Sequence, residues 1–78
     1  MNTLSTLQEI IAANLGIPNS SVHPESRSSD FSEWNSVNHL LLIMEIERKF
    51  GLTFALGEIS ELDSVDKIFK RVEARSAR

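Results

Sequence analysis

The apolar residues of this chain recur at spacings of three and four in three separate stretches. The clearest stretch runs from Val37 to Phe50 and contains neither proline nor glycine. Because an α-helix has about 3.6 residues per turn, such spacings place side chains on one helical face. The pattern predicts a helix here, capped by Asn35 or Ser36 and stopped by Gly51.

A first amphipathic helix is predicted before Gly16, with Asn2 or Thr3 as its cap and a Thr6-to-Glu9 capping box as an alternative start one turn later. Its apolar face consists of Leu4, Leu7, Ile10, Ile11 and Leu15. Gly16 and the Ile17-Pro18 pair that follows it are typical of a helix end.

A last amphipathic helix is predicted after Asp63, which we expect to cap it, with Asp66 in its first turn. Its apolar face consists of Val65, Ile68, Phe69 and Val72. We expect the polar tail beyond about Glu73 to fray. A short helical turn is predicted over Leu56–Ser60, with Ile59 and Leu62 pointing inward.

The segment from Pro18 to about Glu33 is rich in Ser, Asn, Pro and Asp and is predicted to be a loop. We expect Val22 and Phe31 to pin it to the helices, and Trp34 to pack on the first turns of the central helix as a hydrophobic staple. The fold class is therefore all-α: a small three- to four-helix bundle with a long loop between helices 1 and 2, forming one domain over residues 1–78.

The central helix carries apolar residues along two lines rather than one. The line expected to face the core contains Leu42, Ile46 and Phe50, widened by Leu40 and Ile43. The second line contains Val37, Leu41 and Met44. Either the bundle wraps this helix from two directions, or the second line is a contact surface beside Ser36.

The net charge of −3 is unevenly distributed. Acids dominate residues 1–63, whereas bases dominate residues 64–78: Lys67, Lys70, Arg71, Arg75 and Arg78. A basic last helix suggests a small helix-turn-helix regulator, but the chain is acidic overall and lacks interleaved aromatic residues. A solvated helix face is the better interpretation, and we expect no nucleic-acid binding.

Several classes of function are disfavoured by composition. The chain has no cysteine, so any thioester chemistry needs a thiol from a cofactor. His23 and His39 lack acids at ligand spacing, and no nucleophile–base constellation appears, so neither a metal site nor an enzyme is expected.

The longest apolar run, Leu40–Met44, is far shorter than the ~20 residues of a membrane span, and no signal peptide follows Met1. We expect a cytoplasmic monomer.

Ser36 has two possible roles. A serine at a helix start is usually a cap, but Asn35 caps equally well and would leave the hydroxyl of Ser36 free. The free N–H groups and the dipole of a helix N-terminus also favour an attached anion such as a phosphate ester.

The sequence Trp34-Asn35-Ser36-Val37, the helix after it and Gly51 resemble the attachment motif of acyl carrier proteins, Asp-Ser-Leu at the head of the second helix. The resemblance covers nearly the whole chain. It implies that a phosphopantetheinyl transferase adds a 4′-phosphopantetheine arm to Ser36. Acyl groups held on the arm as thioesters would then be presented to acyl-loading and acyl-processing enzymes, in fatty acid biosynthesis or secondary metabolism.

The chain departs from the family motif at Asn35 and Val37, and Asn38 and Leu41 occupy positions where acids are common. These departures favour a specialised carrier. They also keep open the alternative of a carrier-like helical interaction module that carries no covalent group. In the carrier interpretation the partner-binding residues are Asn35, Val37, Leu41, Met44, Glu45 and Glu47.

Overall fold

Helices make up the architecture of the protein, whose computed structural model describes residues 3–76. The α-helices are α1 (Thr3–Leu15), α2 (Ser36–Phe50), α3 (Leu56–Ile59) and α4 (Val65–Ser76). Two short 3₁₀ turns, Asn19–Ser21 and Ser28–Asp30, lie in the connection between α1 and α2. No β-strand forms within residues 3–76; one isolated bridge pairs Arg27 with Ser64.

The core lies where α1, α2 and α4 meet, and α1 packs against both of the other helices. Its fully buried side chains are Leu7, Ile11, Leu42, Ile43, Ile46, Leu62, Val65, Ile68 and Val72. Within each helix these residues follow the three- and four-residue spacing of the sequence, so the apolar stripes are the faces that meet. The all-α bundle and its long first loop are confirmed.

Glycines end the first two helices in the left-handed conformation, at φ +70° for Gly16 and φ +66° for Gly51. After α2, the N–H groups of Gly51 and Leu52 both donate to the Glu47 carbonyl, at 2.9 and 3.1 Å. Glycine adopts this conformation without the steric cost that a Cβ atom imposes, so both predicted stops are confirmed.

Two predicted helix starts require correction. The Thr6-to-Glu9 capping box does not begin α1, because the helix has already begun at Thr3; Asn2 lies outside the described residues. The cap of α4 is Ser64 rather than Asp63, since the Ser64 hydroxyl accepts a hydrogen bond from the N–H of Lys67 at 3.1 Å. Asp63 instead forms an ion pair with the Lys67 ammonium at 2.9 Å.

The long connection is held to the bundle by buried residues and by backbone hydrogen bonds. Val22 is buried and Phe31 is partly buried against the core, as predicted. The side-chain amide of Gln8 on α1 donates to the Val22 carbonyl at 3.0 Å. In its middle, the connection pairs with the start of α4 through the Val65 N–H, which donates to the Ser26 carbonyl at 3.0 Å.

The bases of α4 are paired with acids on neighbouring turns and on α3. Besides Lys67, Lys70 pairs with Asp66 at 3.1 Å, and both Arg71 and Arg75 bind the Glu58 carboxylate. These ion pairs reduce the free positive charge of the helix, and the two pairs with Glu58 join it to α3.

α4 continues to Ser76, beyond the position at which we expected the tail to fray, and residues 77–78 lie outside the described part of the chain. Arg75 holds the last turn of α4 through three contacts. It binds the Glu58 carboxylate and donates to the Thr53 carbonyl at 2.7 Å. Its guanidinium also lies 5.5 Å from the centre of the Phe54 ring. Within residues 3–76, no helix combines the length and apolar character that crossing a membrane requires.

Candidate functional site

Ser36 is the first residue of α2 and is exposed to solvent. The capping role belongs to Asn35, whose side-chain oxygen accepts a hydrogen bond from the Asn38 N–H at 2.9 Å. Among residues 3–76, no hydrogen-bond partner of the Ser36 hydroxyl is found. Of the two predicted caps, the structure uses Asn35 and leaves the serine oxygen accessible.

Further hydrogen bonds fix the backbone on both sides of Ser36. The side-chain amide of Asn38 donates to the Glu33 carbonyl at 2.7 Å, and the His39 N–H donates to the Asn35 carbonyl at 2.8 Å. Within the described chain, the N–H groups of Ser36 and Val37 have no acceptor of their own. The helix start therefore presents one hydroxyl and two amide donors, which favours an anion attached to the serine.

Trp34 and His39 form a second support beneath the helix start. The indole of Trp34 is buried, with 4% of its surface exposed, and its N–H donates to His39 Nδ1 at 2.8 Å. Because an indole only donates, Nδ1 of His39 must be unprotonated. The ring proton is then on Nε2, which donates to the Ile59 carbonyl of α3 at 2.7 Å.

The expected packing of Trp34 on the first turns of α2 is therefore confirmed, but its hydrogen bond to His39 was not predicted. The only available signal was position: His39 lies four residues into α2, where a staple partner belongs. The bond onward to Ile59 joins residues 20 apart in sequence, and no local pattern reveals it.

A cleft of about 430 Å³ opens beside Ser36, between the start of α2 and α3. Its lining residues include Trp34, Ser36, His39, Leu40, Leu56 and Ile59, with Asp63 at the approach to α4. Among the large apolar residues that the structure describes, Leu56 is the most exposed, at 86%. The serine oxygen thus lies at the rim of a largely apolar depression.

The second apolar line of α2 is exposed along its length. Val37, Leu41 and Met44 retain 69%, 52% and 56% exposure, so the described bundle does not wrap α2 from two directions. Leu40, predicted to widen the core face, is also about half exposed because the short α3 covers little of this side. We call Val37, Leu41 and Met44 the exposed row.

The charged residues on α2 have partners of their own. Glu45 pairs with Arg48 at 2.6 Å, and one oxygen of Glu47 accepts a hydrogen bond from the Phe54 N–H at 2.8 Å. Arg48 continues the exposed row one turn beyond Met44, and its side chain is largely exposed. Glu47 has a structural role in this fold, which the sequence did not reveal.

Two acids near the cleft are held in their charged form. Hydrogen bonding to the Lys67 ammonium lowers the pKa of Asp63 below its usual value. The Ala55 N–H, followed by the charge of Arg75, lowers the pKa of Glu58, although partial burial opposes this shift. Both carboxylates therefore remain ionised at neutral pH and available to their cationic partners.

Comparison with known proteins gives matches that cover most of the chain. Residues 5–72 match the family model described as "Phosphopantetheine attachment site". A protein of Rubrobacter xylanophilus named "Acyl carrier protein" is 34% identical over 64 residues, which span 82% of this chain and 79% of that relative.

Proposed function

Because the chain belongs to the acyl carrier protein family, whose members carry 4′-phosphopantetheine covalently and are not themselves catalysts, we propose that Ser36 is the residue that bears the arm. The main support for this proposal is that the Ser36 hydroxyl is exposed. Asn35 caps the helix, so the serine hydroxyl is not used for capping. A phosphopantetheinyl transferase would join the serine oxygen to the β-phosphorus of coenzyme A; the phosphoanhydride bond would break, adenosine 3′,5′-bisphosphate would leave, and the serine proton would be released to a base of the transferase.

The helix start suits the phosphate that this bond introduces. The amides of Ser36 and Val37 are free to donate to phosphate oxygens, and the helix dipole contributes about 0.3–1 kcal/mol toward an anion there. When attached, the arm supplies a terminal thiol on which acyl groups are held as thioesters. No side chain of this cysteine-free protein offers that group.

The exposed row is the surface that we propose for partner docking, together with Asn35 beside the attachment point. Val37, Leu41 and Met44 form an unbroken apolar strip on the helix that begins with Ser36. Burying such side chains against a partner is favourable by roughly 25 cal/mol per Å² of apolar surface. The transferase and the acyl-processing enzymes would share this strip.

Charges at the far end of the strip distinguish this carrier. Arg48 and Lys49 occupy the last turn of α2, while Glu47 is engaged by the Phe54 N–H and Glu45 by Arg48. We propose that partners place an acidic rather than a basic group at this end. Glu45 adds little affinity, because it is already paired with Arg48 and exposed ion pairs contribute little. Two basic side chains at this end of α2, beside two acids that are already engaged, favour a specialised pathway over general fatty acid synthesis.

The proposal is tested by incubating the protein with coenzyme A and a broad-specificity phosphopantetheinyl transferase. We expect intact-protein mass spectrometry to show the gain of one phosphopantetheine group. The Ser36→Ala variant should show no gain. Ser60→Ala is the matched control, because Ser60 is exposed and lines the same cleft; it should be modified as efficiently as the wild type.

Absence of any gain with several transferases, including one from the source organism, would contradict the proposal. It would favour instead an unmodified interaction module, the alternative that Asn35 supports by replacing the acid of the family motif. A gain that survives Ser36→Ala would place the arm on another residue.

A further inference from the structure

The start of α2 is joined to α3 by two consecutive hydrogen bonds through one imidazole ring. We propose that Trp34 and His39 are positioning residues for the attachment reaction, forming a clamp that fixes Ser36 and the cleft wall only while His39 is neutral. This inference rests on the proposed function of Ser36, but the clamp itself can be measured without it.

Ser36 lies between the two ends of the clamp's first hydrogen bond. Trp34 precedes it by two residues and His39 follows by three, and the indole–imidazole bond connects them at 2.8 Å. The Asn35 cap closes the same turn from the other side. The serine backbone is therefore constrained from both directions, which fixes where the Ser36 side chain leaves the helix start.

The second bond of the clamp positions α3, which consists of only four residues. A single helical turn is not stable by itself in water, so its place depends on contacts with the rest of the protein. His39 Nε2 provides one by donating to the Ile59 carbonyl at 2.7 Å. Since Leu56 and Ile59 line the cleft, this bond helps to set the position of its wall.

The clamp depends on the protonation state of the ring. A neutral imidazole has one donor and one acceptor, which matches the indole N–H on one side and the Ile59 carbonyl on the other. Protonation places a second N–H on Nδ1, directly facing the Trp34 N–H. The buried indole would then have no acceptor in the clamp, which disfavours the closed arrangement.

Other charged groups around the clamp are engaged elsewhere or exposed. They are Glu33 before α2, Glu58 on α3, Glu61 after α3, and Asp63 with its partner Lys67. Asp63 lines the cleft and interacts electrostatically with His39, but its carboxylate is already bound by the Lys67 ammonium. Glu58 is bound by Arg71 and Arg75. The acceptor of the Trp34 N–H is therefore the imidazole, and none of these acids occupies that position.

The single tryptophan makes the clamp directly observable by NMR. An acid titration that protonates the imidazole should shift the Trp34 indole N–H resonance of the unmodified protein and speed its exchange with solvent, which should be slow while the ring is neutral. In His39→Gln the amide retains one acceptor and one donor but does not titrate. That variant should keep a protected indole N–H across the range. In His39→Phe the protection should be lost at every pH.

The functional readout is the rate of modification by the transferase at roughly pH 8. We expect His39→Phe to lower kcat by roughly 3- to 10-fold, the equivalent of one lost hydrogen bond, with KM changed less because the exposed row is intact. His39→Gln should restore most of the rate. Circular dichroism establishes that each variant is folded. If His39→Phe does not fold, Trp34→Phe removes the same donor while keeping an aromatic ring.

Each failure has a separate meaning. An indole N–H that is equally protected in wild type and His39→Phe, or a modification rate unchanged in that folded variant, would overturn the clamp and leave Ser36 as the attachment site. Absence of modification in the wild type, with the indole N–H responding as expected, would refute the proposed attachment at Ser36 and with it the positioning role, while the clamp as a structural contact would stand.

Discussion

Two sides of α2 are stabilised by different kinds of contact. On the core side, Leu42, Ile43 and Ile46 are fully buried among apolar residues of α1 and α4. On the cleft side, α2 meets α3 through the Trp34–His39–Ile59 hydrogen bonds, and its apolar side chains remain largely exposed. One side is held by burial, the other by directional polar contacts.

This difference separates stability from function along a single helix. Apolar burial is non-directional and scales with area, so the core side supplies most of the folding free energy. Directional bonds instead hold the short α3 in place without covering the exposed row or Ser36. A carrier needs both properties, because its docking surface has to remain uncovered in the free protein.

The largest expected effect comes from two neighbouring leucines, of which Leu42 lies in the core and Leu41 in the exposed row. Leu42→Ala removes a fully buried side chain and should lower the free energy of unfolding by about 3 kcal/mol, through lost burial and a residual cavity. Leu41→Ala, at a position that is half exposed, should change it by less than about 0.5 kcal/mol. Urea unfolding followed by circular dichroism measures both.

Modification kinetics should show the reverse order. Leu41→Ala is expected to raise the KM of the transferase several-fold, because Leu41 belongs to the exposed row, whereas folded Leu42→Ala should be modified at nearly the wild-type rate. Equal destabilisation by the two substitutions would show that the two sides do not differ as described.

Substitutions of Asn35 test the hydrogen bond that caps α2 at the boundary between the two sides. Asn35→Ala removes the acceptor of the Asn38 N–H and should cost about 1 kcal/mol of stability. Asn35→Asp keeps the cap and adds a negative charge at the helix N-terminus, worth about 0.3–1 kcal/mol in the favourable direction. Thermal unfolding distinguishes these outcomes.

The same pair of variants bears on the family motif. Asp is the residue that the motif places before the serine, so Asn35→Asp should be modified at least as fast as the wild type by a broad-specificity transferase. Slower modification of Asn35→Asp would indicate that this transferase recognises the neutral side chain.

The core side was well predicted from the sequence, because a buried helix face requires apolar residues at spacings of three and four. Every fully buried residue of α1, α2 and α4 lies on a stripe with spacings of three and four, and Gly16 and Gly51 end their helices as glycines at such positions do. These signals are local, and neighbouring residues are enough to read them.

The cleft side was less predictable because its contacts join distant residues. His39 reaches Ile59, and Arg75 reaches Glu58 and the Thr53 carbonyl, across spans with no periodic pattern. Leu40 follows the apolar spacing of α2 yet remains about half exposed, since only the four residues of α3 are available to cover it. Ser64 rather than Asp63 caps α4 because Asp63 pairs with Lys67, a choice between adjacent residues that both make good caps.

The smallest expected effect concerns the polar anchor of α3, and it depends on pH. Glu58 accepts from the Ala55 N–H at 2.8 Å and binds Arg71 and Arg75, and these contacts lower the pKa of its carboxyl in the folded state. A carboxyl whose pKa is lower when folded contributes stability above its unfolded pKa, and this contribution is lost as pH falls through the folded pKa. Glu58→Gln should therefore lower the unfolding temperature slightly at neutral pH, and the difference from wild type should shrink toward zero in acid.

Glu61→Gln is the control, because Glu61 is exposed and forms no ion pair within residues 3–76. A difference between Glu58→Gln and wild type that stays constant from neutral to acidic pH would mean that α3 is held by packing rather than by this charge.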